Sequence, residues 1–302
     1  VIGEGYPESV EIVEVGPRDG LQNERVLVST SAKRSFITAL ARSGLRRIEA
    51  TAFVHPKAVP QMADAREVLR GLELPKEVEL SALVPNMRGY ESAREAGIES
   101  IAVFTATSES FNQRNIRCGI EESFDRFRPV LVRALEDGVK VRGYLSTVFG
   151  CPYEGVSSPV VALELTRRLL ELGCYEVSLG DTIGVGTPIQ VRQILEPIVE
   201  ALGPEQLALH FHDTRGTALA NVLVGLELGI KVFDSSAGGI GGCPYAPGAA
   251  GNLATEDLVY LLEGMGISTG VTLPDLAAAS LGLEAELDHA LPGRTVATFR
   301  PQ

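Results

Sequence analysis

Short apolar, β-branched segments recur along the chain, each followed by turn residues and then by a stretch whose apolar positions fall at helical spacing. The apolar segments predict strands at Glu11–Val15, Arg47–Phe53, Glu79–Val84, Ser100–Thr105, Lys140–Ser146, Glu176–Gly180, Leu207–His212 and Lys231–Ser236. Amphipathic stretches predict helices at Ser31–Arg42, Met62–Gly71, Glu122–Glu136, Pro159–Leu172, Pro188–Ala201, Ala218–Leu228 and Thr255–Gly264, with a last one near Pro274–His289. Strand alternating with helix implies parallel βα units. Eight such units predict a closed α/β (β/α)8 TIM barrel, whose active site lies at the C-terminal ends of the strands. A doubly wound sheet is the competing fold. No Pro/Ser linker, charge block or low-complexity run divides the chain. One domain over 1–302 is therefore expected, with a barrel core at about 8–270 and a C-terminal helical extension at about 271–302.

Composition narrows the partners. The chain has 302 residues, 45% of them apolar, and a formal net charge of −12 with acidic and basic residues interspersed. A nucleic acid or a membrane surface calls for a basic footprint, so neither is expected. A small anion held by a few local arginines is not excluded. Four cysteines (Cys118, Cys151, Cys174, Cys243) form no CxxC pair, which fits reduced thiols in a cytosolic-type compartment. No apolar run approaches the roughly 20 residues that span a bilayer. The N-terminus lacks both a signal-peptide pattern and an initiator Met, so a bacterial-type cytoplasmic location is expected and organellar targeting stays open.

The unusual polar residues gather at the predicted strand ends. The first strand ends in Val15-Gly-Pro-Arg-Asp-Gly-Leu-Gln-Asn-Glu24, the second contains Ile48-Glu-Ala-Thr51, and the sixth ends in Ser178-Leu-Gly-Asp-Thr182. The seventh ends in His210-Phe-His-Asp-Thr214, and the eighth delivers Asp234 and the glycine-rich run Gly238–Asn252. His210 and His212 sit at i and i+2 of a strand, so both imidazoles share a face and can converge on one ion. Two interior hydrogen-bonded histidines would give the same spacing. Asp19 could add a hard anionic oxygen and Asn252 a neutral one, although Asn252 could equally cap the helix near Thr255. Two nitrogens and two oxygens suit Mg²⁺ or Mn²⁺, with Zn²⁺ or Co²⁺ also open.

Arg18 and Asp19 are neighbours, and only a turn lets both side chains enter one site; Gly16-Pro17 and Gly20 supply it. A fixed guanidinium there could stabilise a developing oxyanion. Glu49 stands in a strand that should be buried, and a buried carboxylate needs a partner or a duty; Arg18 is the candidate. The segment after Asp181 leads into a helix N-terminus and reads either as a phosphate cradle or as turn chemistry. Cys118, Cys151 and Cys174 read as packing thiols, whereas the glycine-rich setting of Cys243 is that of a reactive thiol.

Together these segments closely resemble the 3-hydroxy-3-methylglutaryl-CoA lyases, metal-dependent TIM-barrel enzymes. The resemblance rests on Val15–Glu24, Gly150-Cys-Pro-Tyr-Glu-Gly155, Ser178–Thr187, His210–Asp213, Ala237–Tyr245 and Gly251–Asp257. It implies retro-Claisen cleavage of an acyl-CoA to acetyl-CoA and acetoacetate. By motif position it implies a divalent cation held by Asp19, His210, His212 and Asn252. It also implies that Arg18 stabilises the enolate, that Glu49 is the acidic member of an Asp-Arg-Glu set, that Asp181 supports an acid–base network, and that Cys243 is the loop cysteine. Asp19 or a relay through His210 is the expected base. The expected partners are a small-molecule acyl-CoA substrate and further copies of the chain, as a homodimer or higher homo-oligomer. Two departures stand out: Arg25 where relatives often carry lysine, and Ala50 and Ala52 where some carry hydroxyls, which predicts altered hydrogen bonding on the substrate side. A related aldolase or Claisen condensing enzyme acting on another hydroxy acid or acyl-CoA is the alternative. A non-catalytic protein on this scaffold would be expected to lack one of Arg18, Asp19, Glu49, His210 or His212, and all five are present.

Overall fold

A strand buried on both faces must be covered by helices outside and filled by side chains inside. The chain solves this by closing its sheet. The computed structural model describes residues 5–242 and 251–301. Among these, β1 (Glu11–Glu14), β2 (Arg47–Ala52), β3 (Glu79–Leu83), β4 (Ser100–Ala106), β5 (Lys140–Ser146), β6 (Glu176–Asp181), β7 (Leu207–Phe211) and β8 (Val232–Ser235) form a closed parallel barrel in sequence order. β8 pairs back onto β1. Every predicted strand is present, with ends shifted by no more than one residue.

The helices are α1 (Thr30–Arg42), α2 (Ala65–Leu69), α3 (Met87–Glu95), α4 (Glu109–Ile116), α5 (Ile120–Glu136), α6 (Pro159–Glu171), α7 (Pro188–Leu202), α8 (Ala218–Glu227), α9 (Thr255–Gly264), α10 (Leu273–Glu284) and α11 (Arg294–Ala297). Starts follow local chemistry: Ser29 caps α1 by accepting from Ala32 N, and Thr187 with Gln190 forms a capping box ahead of Pro188 in α7. Three expectations need correction. The helix expected at Met62–Gly71 is only the five-residue α2, preceded by a 3₁₀ turn at Pro60–Met62. There, Lys33 Nζ draws in the Gln61 carbonyl and the Asp64 carboxylate, and the Gln61 amide turns back to Val26 O. The last long helix stops at Glu284, not His289, because the Glu284 carboxylate accepts from Leu291 N and Arg300 and folds the chain back. Finally, Ala50 packs with Ile37 and Val68 and Ala52 joins the main core, so both face helices rather than substrate.

Outward-facing Ile48, Ile101, Val103, Leu145, Val177, Leu179, Leu209 and Phe233 are fully buried against the helices, whereas the barrel interior is strongly charged, as described below. Cys118, Cys151 and Cys174 are free and buried, in keeping with packing thiols. No helix among the described residues is long and apolar enough to cross a membrane.

One buried acid pair underpins the turn after β8. Glu14 accepts from Gly16 N, Ala237 N and Thr255 Oγ1, and Glu256 accepts from Gly238 N and Ser280 Oγ. Burial pushes each carboxyl up to about 7 against those hydrogen bonds. Between the ordinary 4.5 and about 7 the folded state holds protons that the unfolded chain releases. The stabilisation is therefore complete below 4.5 and fades as pH rises through 7. The Tm of Glu14→Gln relative to wild type is expected to rise by roughly 2–4 °C between acidic and mildly alkaline pH. Differential scanning calorimetry at pH 5 and pH 8 checks this, and a pH-independent difference would mean that Glu14 titrates normally.

Candidate active site and metal-ligand cluster

Adjacent residues on a strand point to opposite faces, yet Arg18 and Asp19 must share one. The chain manages this with a single π-helical turn at Gly16–Gly20, directly after β1. Its wide bonds run from Gly20 N to Val15 O at 3.1 Å and from Leu21 N to Gly16 O at 2.9 Å. Such turns cluster at functional sites because they re-aim side chains. Pro17 enters this turn where its missing N–H costs nothing. Here Arg18 Nη1 donates to Asp19 Oδ1 at 2.6 Å, and Arg18 Nε donates to Glu49 Oε2 at 2.5 Å. The expected Arg18–Glu49 pairing is thus present. A register shift between Glu49 and Thr51, where β2 meets β3, marks the same spot. Tyr144 Oη donates to Glu49 Oε2 at 3.3 Å, and its ring packs against the guanidinium groups of both Arg18 and Arg142, 5.3 and 5.0 Å from its centroid.

Asp19 faces the end of β7, where its carboxylate and one nitrogen each of His210 and His212 lie within 4.8 Å of one another. An antiparallel bridge sets Asn252 beside His212, held by Leu253 N to Phe211 O at 2.9 Å and Asp213 N to Gly251 O at 2.9 Å. Asn252 Nδ2 donates to Asp19 Oδ2 at 2.9 Å and to Ile240 O at 3.0 Å. Gly241 is at φ 104°, and a Cβ there would collide with that amide, so the close approach needs glycine. The four residues expected to gather therefore do so.

The electrostatics suit a cation. Burial alone would raise Asp19, but Arg18 and the two imidazoles outweigh it and hold the carboxyl below its usual range. Burial and the neighbouring His210 push His212 down to about 3, leaving it neutral. His210 is also buried, but Asp234 reverses the effect and moves it up. Burial raises Glu49 against the pull of Arg18. Two buried atoms of this cluster, His212 Nδ1 and Asn252 Oδ1, have no hydrogen-bond partner among the described residues. A buried acceptor left in this way is costly unless something fills it. Unpartnered acceptors beside one carboxylate and a second imidazole are the donor set a divalent cation would complete, so Asp19, His210, His212 and Asn252 could hold one.

Other expectations resolve differently. Asp181, at the end of β6, spends both carboxylate oxygens on its own loop, accepting from Val185 N at 3.0 Å and Gly186 N at 2.8 Å. This favours turn chemistry over a phosphate cradle. Cys243 lies outside the described residues. Sequence reasoning noted Asp234 and Ser178 without assigning either a role and singled out neither Arg142 nor Glu176. The β7–β8 register pairs His210 with Asp234, which no single segment of sequence shows.

Comparison with known proteins agrees with this architecture. A family model described as HMGL-like matches residues 9–281. The hydroxymethylglutaryl-CoA lyase of Pseudomonas mevalonii is 53% identical over 283 residues, covering 94% of each chain. The crystal structure of hydroxymethylglutaryl-CoA lyase from Pseudomonas aeruginosa superposes with a TM-score of 0.96 at 48% identity, covering 98% of each chain. An HMG-CoA lyase from Acinetobacter baumannii, solved in complex with coenzyme A and 3-methylmalate, superposes at TM-score 0.92 and 39% identity, covering 98% of this chain and 96% of that one.

Proposed function

We infer that this chain, which belongs to the HMGL-like family, is a divalent-metal-dependent lyase that cleaves 3-hydroxy-3-methylglutaryl-CoA to acetyl-CoA and acetoacetate. The observation that carries the reading is the Asp19–His210–His212 cluster with Asn252 beside it and Arg18 against it, on the rim of a barrel that matches lyases along almost its whole length. The relative solved with coenzyme A supports an acyl-CoA ligand for this chain.

Asp19, His210, His212 and Asn252 are the proposed ligands, and Mg²⁺ or Mn²⁺ is the proposed ion. Such a cation, when bound, supplies Lewis acidity to the substrate's tertiary hydroxyl and free carboxylate. Asp19 is the proposed acceptor of the hydroxyl proton, because an imidazole that ligates the cation through one nitrogen and faces Asp234 with the other, as His210 does, has no free lone pair. Once it leaves, the oxygen's electron pair forms the ketone of acetoacetate and the adjacent C–C bond breaks. Its electrons move into the thioester as an enolate. Arg18, fixed from both sides by Glu49 and Asp19, is the proposed partner of the enolate oxygen, an arrangement that needs no reorganisation as charge develops. Glu49 and Tyr144 then act by holding Arg18 in place. Protonation of the enolate carbon completes acetyl-CoA, with Cys243 or a water as the proposed donor. Asp181 is proposed to support the acid–base network, while its bonds from Val185 N and Gly186 N shape the β6 loop.

The test is cleavage of 3-hydroxy-3-methylglutaryl-CoA by chelated protein, before and after Mg²⁺ or Mn²⁺ is added, with both products measured. Chelated enzyme is expected to be inactive and either ion to restore release of acetyl-CoA and acetoacetate. Folded protein that remains inactive with every divalent ion would move the substrate to another acyl-CoA or hydroxy acid.

A further inference from the structure

Behind His210 the barrel interior carries a column of alternating charge that the reaction above does not use. Arg47 donates to Glu11 at 2.8 Å near the N-terminal end of the barrel and to Glu176 at 2.9 Å further in. Glu176 also accepts from Arg142 Nε at 2.6 Å. Arg142 then reaches Asp234 with two bonds, Nη1 to Oδ2 at 3.1 Å and Nη2 to Oδ1 at 2.7 Å. Ser178 Oγ donates to Asp234 Oδ2 at 2.7 Å, and that same oxygen faces His210 Nδ1 at 3.3 Å. The Asp234 side chain has no solvent exposure.

An ion pair buried this deeply is weak evidence for stability, since well-packed apolar residues often replace one at no cost. Its geometry points to a different use. Arg142 is anchored by Glu176 on one side and grips Asp234 on the other, so the carboxylate cannot turn. An imidazole nitrogen that faces a fixed carboxylate oxygen carries the proton, because the oxygen can only accept. The neutral His210 ring is thereby held as Nδ1–H, with its lone pair on Nε2. His212 has no such partner among the described residues, where its Nδ1 is unpartnered. The two imidazoles of the cluster are inequivalent, and the difference lies in what stands behind them.

We propose that Asp234, fixed by Arg142 and Ser178, is a positioning residue that selects the Nδ1–H tautomer of His210 and so presents Nε2 to the divalent cation. The proposal rests on the metal reading of the site. A carboxylate behind a ligating imidazole fixes its orientation and raises its basicity, and losing one typically costs about 10–100-fold in metal affinity.

The tautomer is read directly by nitrogen-15 NMR on metal-free, histidine-labelled protein. The chain has only four histidines, so single His→Gln variants suffice for assignment. Wild-type His210 is expected as Nδ1–H, and Asp234→Asn is expected to lose that preference. Mn²⁺ affinity, measured by electron paramagnetic resonance without substrate, should fall about 10–100-fold in Asp234→Asn. If that variant misfolds because Arg142 is left unpaired, the double variant Arg142→Gln/Asp234→Asn keeps the core neutral and should show the same two losses. An Nε2–H tautomer in wild type, or wild-type Mn²⁺ affinity in either folded variant, would overturn the proposal. Wild-type protein that binds no Mn²⁺ would instead sink the metal reading, and with it the ligand role of Nε2. The tautomer would still be decided separately.

Discussion

Arg18→Gln lowers kcat for 3-hydroxy-3-methylglutaryl-CoA by at least about 10²–10³-fold, the expected cost of one preorganised oxyanion partner, or about 3–4 kcal/mol. The effect is large because the guanidinium is already in place before the reaction. It is gripped at Nε by Glu49 at 2.5 Å and at Nη1 by Asp19 at 2.6 Å, with the Tyr144 ring against its face. Gln keeps a donor but loses the charge, and it leaves Glu49 with Tyr144 as its remaining wild-type donor among the described residues. Arg18→Lys restores charge without the planar fork that serves two carboxylates at once, so it should recover only a small part of the rate. Mn²⁺ binding should survive in both variants, because none of the proposed ligands is removed. Pre-steady-state turnover at saturating substrate and metal is the measurement, and a loss confined to KM would place Arg18 in substrate binding alone.

The site was legible wherever its chemistry is written in one stretch of chain. The glycines and proline around Arg18 and Asp19 signalled a turn, and the structure makes it a π-helical one. The His-x-His spacing on a strand fixed a shared face, and the strand ends followed from the apolar runs to within one residue. What stayed hidden depends on barrel closure. Arg142, Glu176, Ser178 and Asp234 come from β5, β6 and β8, and only the register of those strands brings them together. Glu14 and Glu256 lie far apart in sequence and meet beneath one turn. Among helices, α3 escaped because its buried positions amount to Gly89, Tyr90 and Ala93, too few for an apolar stripe. At Asp181 the strand-end position that suggested site chemistry also anchors its own loop, one backbone N–H to each carboxylate oxygen, and the two roles do not exclude one another.

Asp19→Ala should abolish metal-dependent turnover, to below about one-thousandth of wild type, and excess Mn²⁺ should not rescue it. Asp19 is the one anion of the proposed ligand set, since His212 is neutral and Asn252 carries no charge. Several kilocalories per mole of charge stabilisation at the reacting oxygens depend on the ion being there. Without Asp19, Arg18 keeps Glu49 as its partner, but no anion of the ligand set offsets its repulsion of a second cation. The loss is also geometric: Asp19 accepts from Gln22 Nε2 at 2.9 Å and from Asn252 Nδ2 at 2.9 Å. The latter bond directs the unpartnered Asn252 Oδ1, so its removal frees a second ligand to turn away. Asp19→Asn separates the two contributions, keeping the shape while removing the charge. Mn²⁺ titration of each variant, followed by cleavage assays, distinguishes the outcomes. Loss of Mn²⁺ binding in both places the charge first; loss only in Asp19→Ala places the geometry first. Wild-type affinity in Asp19→Ala would put the ion elsewhere. Because Arg18→Gln is expected to keep its metal and lose its rate, the two neighbours on one turn separate ion binding from enolate stabilisation.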